Sequence, residues 1–120
     1  MKRILVVDDE TSILETIQEI LAAEGYSVEL ARNGAEALDR MGQTRPDMVL
    51  LEVMMPVLDG FGMLDRLRAD PEKGKVPVVL MSAGHVPSER RQQVTQYLPK
   101  PFELEALLNA VSRALDGVAR

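Results

Sequence analysis

A chain of 120 residues with 46% hydrophobic content carries enough apolar matter to fill one core, and one domain is expected. Fourteen Lys and Arg against nineteen Asp and Glu leave a formal charge of -5. The domain therefore lacks the positive field that phosphate backbones or anionic lipids require, which argues against nucleic-acid and membrane contacts. With no cysteine and a single histidine, His85, a disulfide framework and a thiolate or multi-histidine zinc site are excluded, leaving hard cations held by oxygen. The opening MKRILVVDDE has two basic residues and then four apolar ones before acids intervene, too few for a signal peptide or a membrane span, so a cytoplasmic location is expected.

Along the chain, short apolar runs alternate with stretches of helical spacing, the pattern of strands and helices taking turns. The first run, Ile4 to Val7, is continuous, as in a strand buried on both faces of a parallel sheet. Ile13, Leu14, Ile17, Ile20 and Leu21 then line one face of a helix that should stop near Gly25, where a left-handed cap costs little. Tyr26, Val28 and Leu30 alternate with Ser27 and Glu29, which suits an edge strand. A second helix is expected from Asn33, a good N-cap, to about Gly42.

Met48 to Leu51 is the second continuous run, and Asp59-Gly60 opens a third helix with Met63, Leu64 and Leu67 inward, ending before Pro71. Val78 to Met81 is the third. The stretch from 83 to 95, AGHVPSERRQQVT, has Pro87 and few apolar residues beyond Val86 and Val94, so its helix should be short and loosely anchored. Tyr97-Leu98 reads as a short edge strand. Leu104, Leu107, Leu108, Val111 and Leu115 give the last helix its core stripe, with Glu103 and Glu105 in the first turn where its dipole favours acids. Residues 115–120 read as the start of a linker. Five parallel strands with edges at the second and fifth fit a doubly wound α/β sheet of order 2-1-3-4-5.

In such a sheet, ligands bind beyond the carboxyl ends of the strands, where the winding reverses. Asp8 and Asp9 follow the first strand, Glu52 the third, Ser82 the fourth and Lys100 the fifth, so they converge. Singly, each has a plainer reading: Asp8 and Asp9 as helix caps, Ser82 as a loop hydroxyl, Lys100 as a solvated amine. Glu52 is harder to dismiss, because an acid directly after a buried Val-Leu-Leu run must be solvated, paired or bound to a cation. Jointly, carboxylates at adjacent strand ends repel, and a divalent cation or the Lys100 ammonium is the natural compensation.

The segments ILVVDDE, DMVLLEVMMPVLDGF, VLMSA and YLPKPF resemble, in order and context, the receiver domains of two-component signalling, and the resemblance spans essentially the whole chain. It implies a flavodoxin-like receiver fold over residues 1–120, with the fourth helix shortened. It also implies that Asp8 and Asp9 resemble Mg²⁺-holding acids, with a metal contribution from position 52 and the Met54 backbone carbonyl. By the same likeness, position 52 is the acceptor of a phosphoryl group from a histidine kinase or phosphotransfer protein. Ser82 and Lys100 resemble the hydroxyl and amine that contact the phosphoryl oxygens, Ser82 and Tyr97 the switch pair, and Lys100-Pro101 the family's cis peptide. Without the neighbouring motif, Tyr97 reads as an edge-strand aromatic and Met54 as loop packing.

Two departures matter. Glu52 stands where the family carries aspartate, and its extra methylene pushes the carboxylate about 1.5 Å further into the pocket, which should impair in-line transfer and leave Mg²⁺ weak or absent. Ser82 and Lys100 are 18 positions apart, about one helical turn shorter than is usual in the family. The expected function is thus a non-enzymatic signalling module acting through contacts with a downstream protein or attached output domain. Glu52 then prevents phosphorylation or imitates the phosphorylated state. The alternative is a competent receiver whose aspartate was replaced by design. A flavin carrier is disfavoured because Val7-Asp8-Asp9-Glu10 lacks a glycine- or hydroxyl-rich phosphate loop, and an aspartate-nucleophile phosphatase because the Asp-x-Asp spacing is missing.

Overall fold

The computed structural model describes residues 1–118. The strands are β1 (Arg3–Val7), β2 (Ser27–Ala31), β3 (Met48–Glu52), β4 (Val78–Ser82) and β5 (Gln96–Pro99). Between and after them run α1 (Thr11–Ala23), α2 (Gly34–Thr44), α3 (Gly60–Ala69), α4 (Ser88–Arg91) and α5 (Leu104–Val118). All neighbouring strands pair in parallel, in the order β2-β1-β3-β4-β5, as the alternation of elements predicts. Every residue of β3 and β4 is buried, whereas β2 and β5 are only partly so, which is why the former read as continuous apolar runs and the latter do not.

The period-two geometry of a strand splits each central run between two cores. Ile4, Val6, Met48, Leu50, Val79 and Met81 face α1 and α5, packing on Leu14, Ile17, Leu107 and Val111. Leu5, Val7, Val49, Leu51, Val78 and Leu80 face the other way, against Met41, Met63, Leu64 and Leu67 of α2 and α3. Truncating a fully enclosed member such as Leu50 to alanine costs about 2–5 kcal/mol through lost transfer energy and the cavity left behind.

Caps fall largely where the residue types place them. The Asn33 side chain accepts the Glu36 N–H at 2.9 Å and the Asp59 side chain accepts the Gly62 N–H at 2.7 Å. Gly25 takes φ +92° just past α1, in the left-handed region that glycine tolerates. Two boundaries differ from expectation. The second helix runs past Gly42 to Thr44, with Arg45 in the left-handed cap (φ 49°) and its N–H on the Met41 carbonyl. Glycine's capping advantage yields there to the burial of Met41, which keeps the last turn against the core. Residues 115–118 belong to α5 rather than to a linker, because Ala114 and Leu115 are buried in the core and carry the helix onward; residues 119–120 lie outside the described residues. Among the described residues no helix is long and apolar enough to cross a membrane.

α3 is held close to the end of β3. A Cβ at Gly60 would collide with the Glu52 carbonyl oxygen and lie 2.9 Å from the Val53 Cα. The Gly60 N–H donates to the Val53 carbonyl at 2.8 Å. The absence of a side chain at position 60 therefore sets how tightly the loop after Glu52 folds back over the strand end.

Candidate functional site

Glu52 is the last residue of β3, Ser82 the last of β4, Asp8 directly follows β1, and Lys100 directly follows β5. The parallel register brings these ends together: Val7 lies beside Leu51, Glu52 beside Met81, and Ser82 beside Pro99. Asp8, Glu52 and Ser82 are the buried polar side chains among the described residues. A charged side chain in such a place demands a partner, and Lys100 supplies it. Its ammonium donates to Glu52 Oε1 at 2.5 Å and to Asp8 Oδ2 at 3.0 Å, with the Lys100 side chain only 14% exposed.

The remaining carboxylate oxygens are also engaged. Asp8 Oδ1 accepts the Glu10 N–H at 3.0 Å, and Glu52 Oε2 accepts the Val53 N–H at 2.7 Å. Burial of the Lys100 ammonium works against its charge, but its hydrogen bonds to Glu52 and Asp8 outweigh that penalty and hold its pKa above the ordinary lysine value. Two carboxylates thus share one cation in a nearly closed site.

The other sequence-predicted residues stand outside this triad. Asp9 is exposed and makes no side-chain hydrogen bond among the described residues. Nor does it cap α1, whose N-cap Glu10 has no side-chain cap bond. The Ser82 hydroxyl turns into its own loop, accepting the Gly84 N–H at 3.0 Å. The Tyr97 hydroxyl donates to the Gly84 carbonyl at 3.3 Å, and Met54 is 75% exposed. The Lys100-Pro101 bond is cis, as the resemblance implies. Gly84, which accepts from Tyr97 and donates to Ser82, was not singled out from sequence, because a loop glycine two residues past a strand carries no chemical signal of its own.

A small, hard divalent ion such as Mg²⁺ requires several oxygen lone pairs aimed at one point in near-octahedral array. Here the buried carboxylates aim at Lys100 and at backbone N–H groups, and among the described residues no three acidic side chains gather to hold a metal. In this arrangement the donor set does not fit a resident Mg²⁺, and the Lys100 ammonium provides the neutralising charge.

A doubly wound five-stranded sheet with acids, a hydroxyl and a lysine at its carboxyl edge defines a receiver-type α/β module. Residues 4–112 match the response regulator receiver domain family, and the chain belongs to it. It is 46% identical over 117 residues to the response regulator MprA of Mycobacterium sp. (strain KMS), a match covering 94% of this chain and 50% of that protein. The chain therefore spans about half the length of the curated relatives it matches. A signal receiver domain of a signal transduction histidine kinase from Syntrophus aciditrophicus superposes with a TM-score of 0.91 at 31% identity, covering 100% of this chain and 94% of that one. The chemotaxis protein CheY4 of Vibrio cholerae does so with a TM-score of 0.87 at 33% identity, over 96% and 99% of the two chains. Receiver domains of response regulators are signalling modules that interact with histidine kinases and output domains, and they generally bind Mg²⁺ at the phosphorylation site.

Proposed function

We propose that this chain is a single receiver domain, residues 1–120, that signals through protein contacts, with Glu52 blocking normal phosphoryl acceptance while imitating part of the phosphorylated state. The observation that carries this reading is the 2.5 Å bond from Lys100 to Glu52 Oε1. A phosphorylated aspartate offers three acceptor oxygens and more negative charge than a carboxylate. Glu52 reproduces the contact with the lysine but not one with the hydroxyl, since Ser82 is bonded to Gly84 instead. In this reading Glu52 occupies the acceptor position, Lys100 and Ser82 are the groups that would meet phosphoryl oxygens, and Ser82 and Tyr97 are the switch pair. Asp8, Asp9, Glu52 and the Met54 carbonyl form at most a weak Mg²⁺ site. The partners are a downstream protein or attached output domain, and a kinase or phosphotransfer protein whose input Glu52 has made ineffective. The module is not an enzyme, acts in the cytoplasm, and touches neither nucleic acid nor membrane itself.

The test is phosphorylation by acetyl phosphate with Mg²⁺, comparing the chain as it stands with Glu52→Asp. In-line transfer needs a carboxylate oxygen placed against the donor while positive charge neutralises the transition state. The Glu52 form should label little or not at all, and Glu52→Asp should label readily. Strong labelling of the Glu52 form overturns the proposal. Failure of Glu52→Asp means that the site has lost more than the acceptor's length, and that the contact surface works without phosphate.

A further inference from the structure

α4 consists of four residues, none of them buried. So short a helix has no intrinsic stability in water, and it brings no apolar stripe to hold it down. Its neighbours Val86 and Val94 supply the apolar packing. Beside that packing, arginines run in both directions between α3 and the segment from α4 to β5.

From α4, the Arg90 guanidinium forms a fork with Asp65 of α3, at 2.5 Å and 3.3 Å to its two carboxylate oxygens. The same guanidinium lies 4.9 Å from the centroid of the Phe61 ring, also on α3. A forked arginine–carboxylate pair is the geometry in which a partly exposed ion pair contributes measurably. From α3, Arg68 reaches the opposite way: its Nε and Nη2 donate to the Gln93 carbonyl at 3.1 Å and 2.8 Å. Its Nη1 donates to the Gly74 and Val76 carbonyls at 2.9 Å and 2.8 Å. Arg68 thus ties the connection ahead of β4 to the one ahead of β5. Next to Arg90, Arg91 lies 4.6 Å from the centroid of the Tyr97 ring, whose hydroxyl is on Gly84.

We infer that Arg90 and Arg68 form a two-way latch that fixes the shortened α4 segment to α3, and that through Arg91 this latch sets the position of Tyr97. Asp65, Phe61 and Arg68 are the positioning residues on the α3 side. The latch does for a four-residue helix what an apolar stripe does for a longer one. None of its hydrogen bonds involves Asp8, Glu52 or Lys100, so it stands whether or not Glu52 plays the part proposed above.

The test is amide hydrogen exchange on the full chain and on Asp65→Ala, Arg90→Ala and the double variant. The reporters are the Gln92, Gln93 and Val94 N–H groups, which donate to Ser88, Arg90 and Arg91 carbonyls. Each single variant should speed their exchange about three- to tenfold, with Asp65→Ala, which loses the ion pair alone, at the low end and Arg90→Ala, which also loses the Phe61 contact, at the high end. The double variant should exchange no faster than Arg90→Ala, which already removes the Asp65 bond along with the Phe61 contact, and Arg90→Lys should recover part of the protection. In the alanine variants the Tyr97 ring resonances should shift while the β4 amides keep their protection. Unchanged exchange in the single variants, or additive acceleration in the double, overturns the latch. Equal acceleration in β4 also overturns it, because the effect would then be global loosening.

Discussion

The carboxylate of Glu52 and the ammonium of Lys100, 48 positions apart in sequence, meet at 2.5 Å across the ends of β3 and β5. β4 lies between the two strands but does not keep them apart, because it ends in Ser82, whose short side chain turns into its own loop. Asp8 completes the arrangement from β1, so one cation joins the ends of β1, β3 and β5.

Removing that cation should expose the cost of burying two acids. Lys100→Met leaves Asp8 and Glu52 facing each other without compensation, and urea unfolding should show a loss of about 3 kcal/mol. In Glu52→Gln/Lys100→Met one of the two acids is gone, and the double variant should regain a substantial part of the loss. A single variant as stable as the parent would show that the pair contributes nothing.

The same pair fixes a sign for alkaline pH. The folded pKa of Lys100 lies above the unfolded value of 10.5. Its contribution to stability is therefore complete below about pH 10 and is lost as pH rises through the raised folded value. Denaturant midpoints measured upward from neutral pH should fall in this alkaline range, and fall less in Glu52→Gln, which removes one of the two negative charges that raise the lysine. A steeper alkaline loss in Glu52→Gln than in the parent is the outcome that contradicts the assignment.

Mg²⁺ should bind weakly, because it must displace Lys100 from two carboxylates before it gains ligands of its own. Calorimetric titration should give a dissociation constant in the millimolar range, tightening in Glu52→Asp/Lys100→Ala, where the acceptor is shorter and the competing ammonium is gone. Submicromolar affinity in the parent chain would contradict the competition.

Gly60→Ala should act on the site from behind. Its Cβ would strike the Glu52 carbonyl, so the loop after β3 must move, at a cost of about 1–3 kcal/mol. The displacement should appear in the Glu52 and Val53 amide resonances before it appears in those of β1. A variant with parental stability and unshifted resonances would show that the close approach is slack.

The sequence by itself determined the sheet and much of the placement of the site. Continuous apolar runs at Ile4, Met48 and Val78 mark strands buried on both faces, and alternation at Tyr26 to Leu30 marks an edge, because side-chain burial in a strand has a strict period of two. Once that topology is accepted, Asp8, Glu52, Ser82 and Lys100 must share one edge, since each lies at or just past a strand's carboxyl end. Asn33 and Asp59 declared their helices through a local bond to a backbone N–H three residues on, a matter of chain geometry that needs no distant partner.

What the tertiary structure decided lies beyond such periods. It chose Asp8 over Asp9 as the acid that holds Lys100, although the two are adjacent and chemically alike, because the chain leaves β1 with one side chain buried and the next exposed. It turned Ser82 toward Gly84, carried α5 past Leu115, and fixed a four-residue α4 with arginines that no periodicity of the sequence singles out. A guanidinium can reach any of several carboxylates, rings and carbonyls, and which it takes depends on elements 25 positions away being brought alongside by the packed sheet, so the choice is made only when the core has formed.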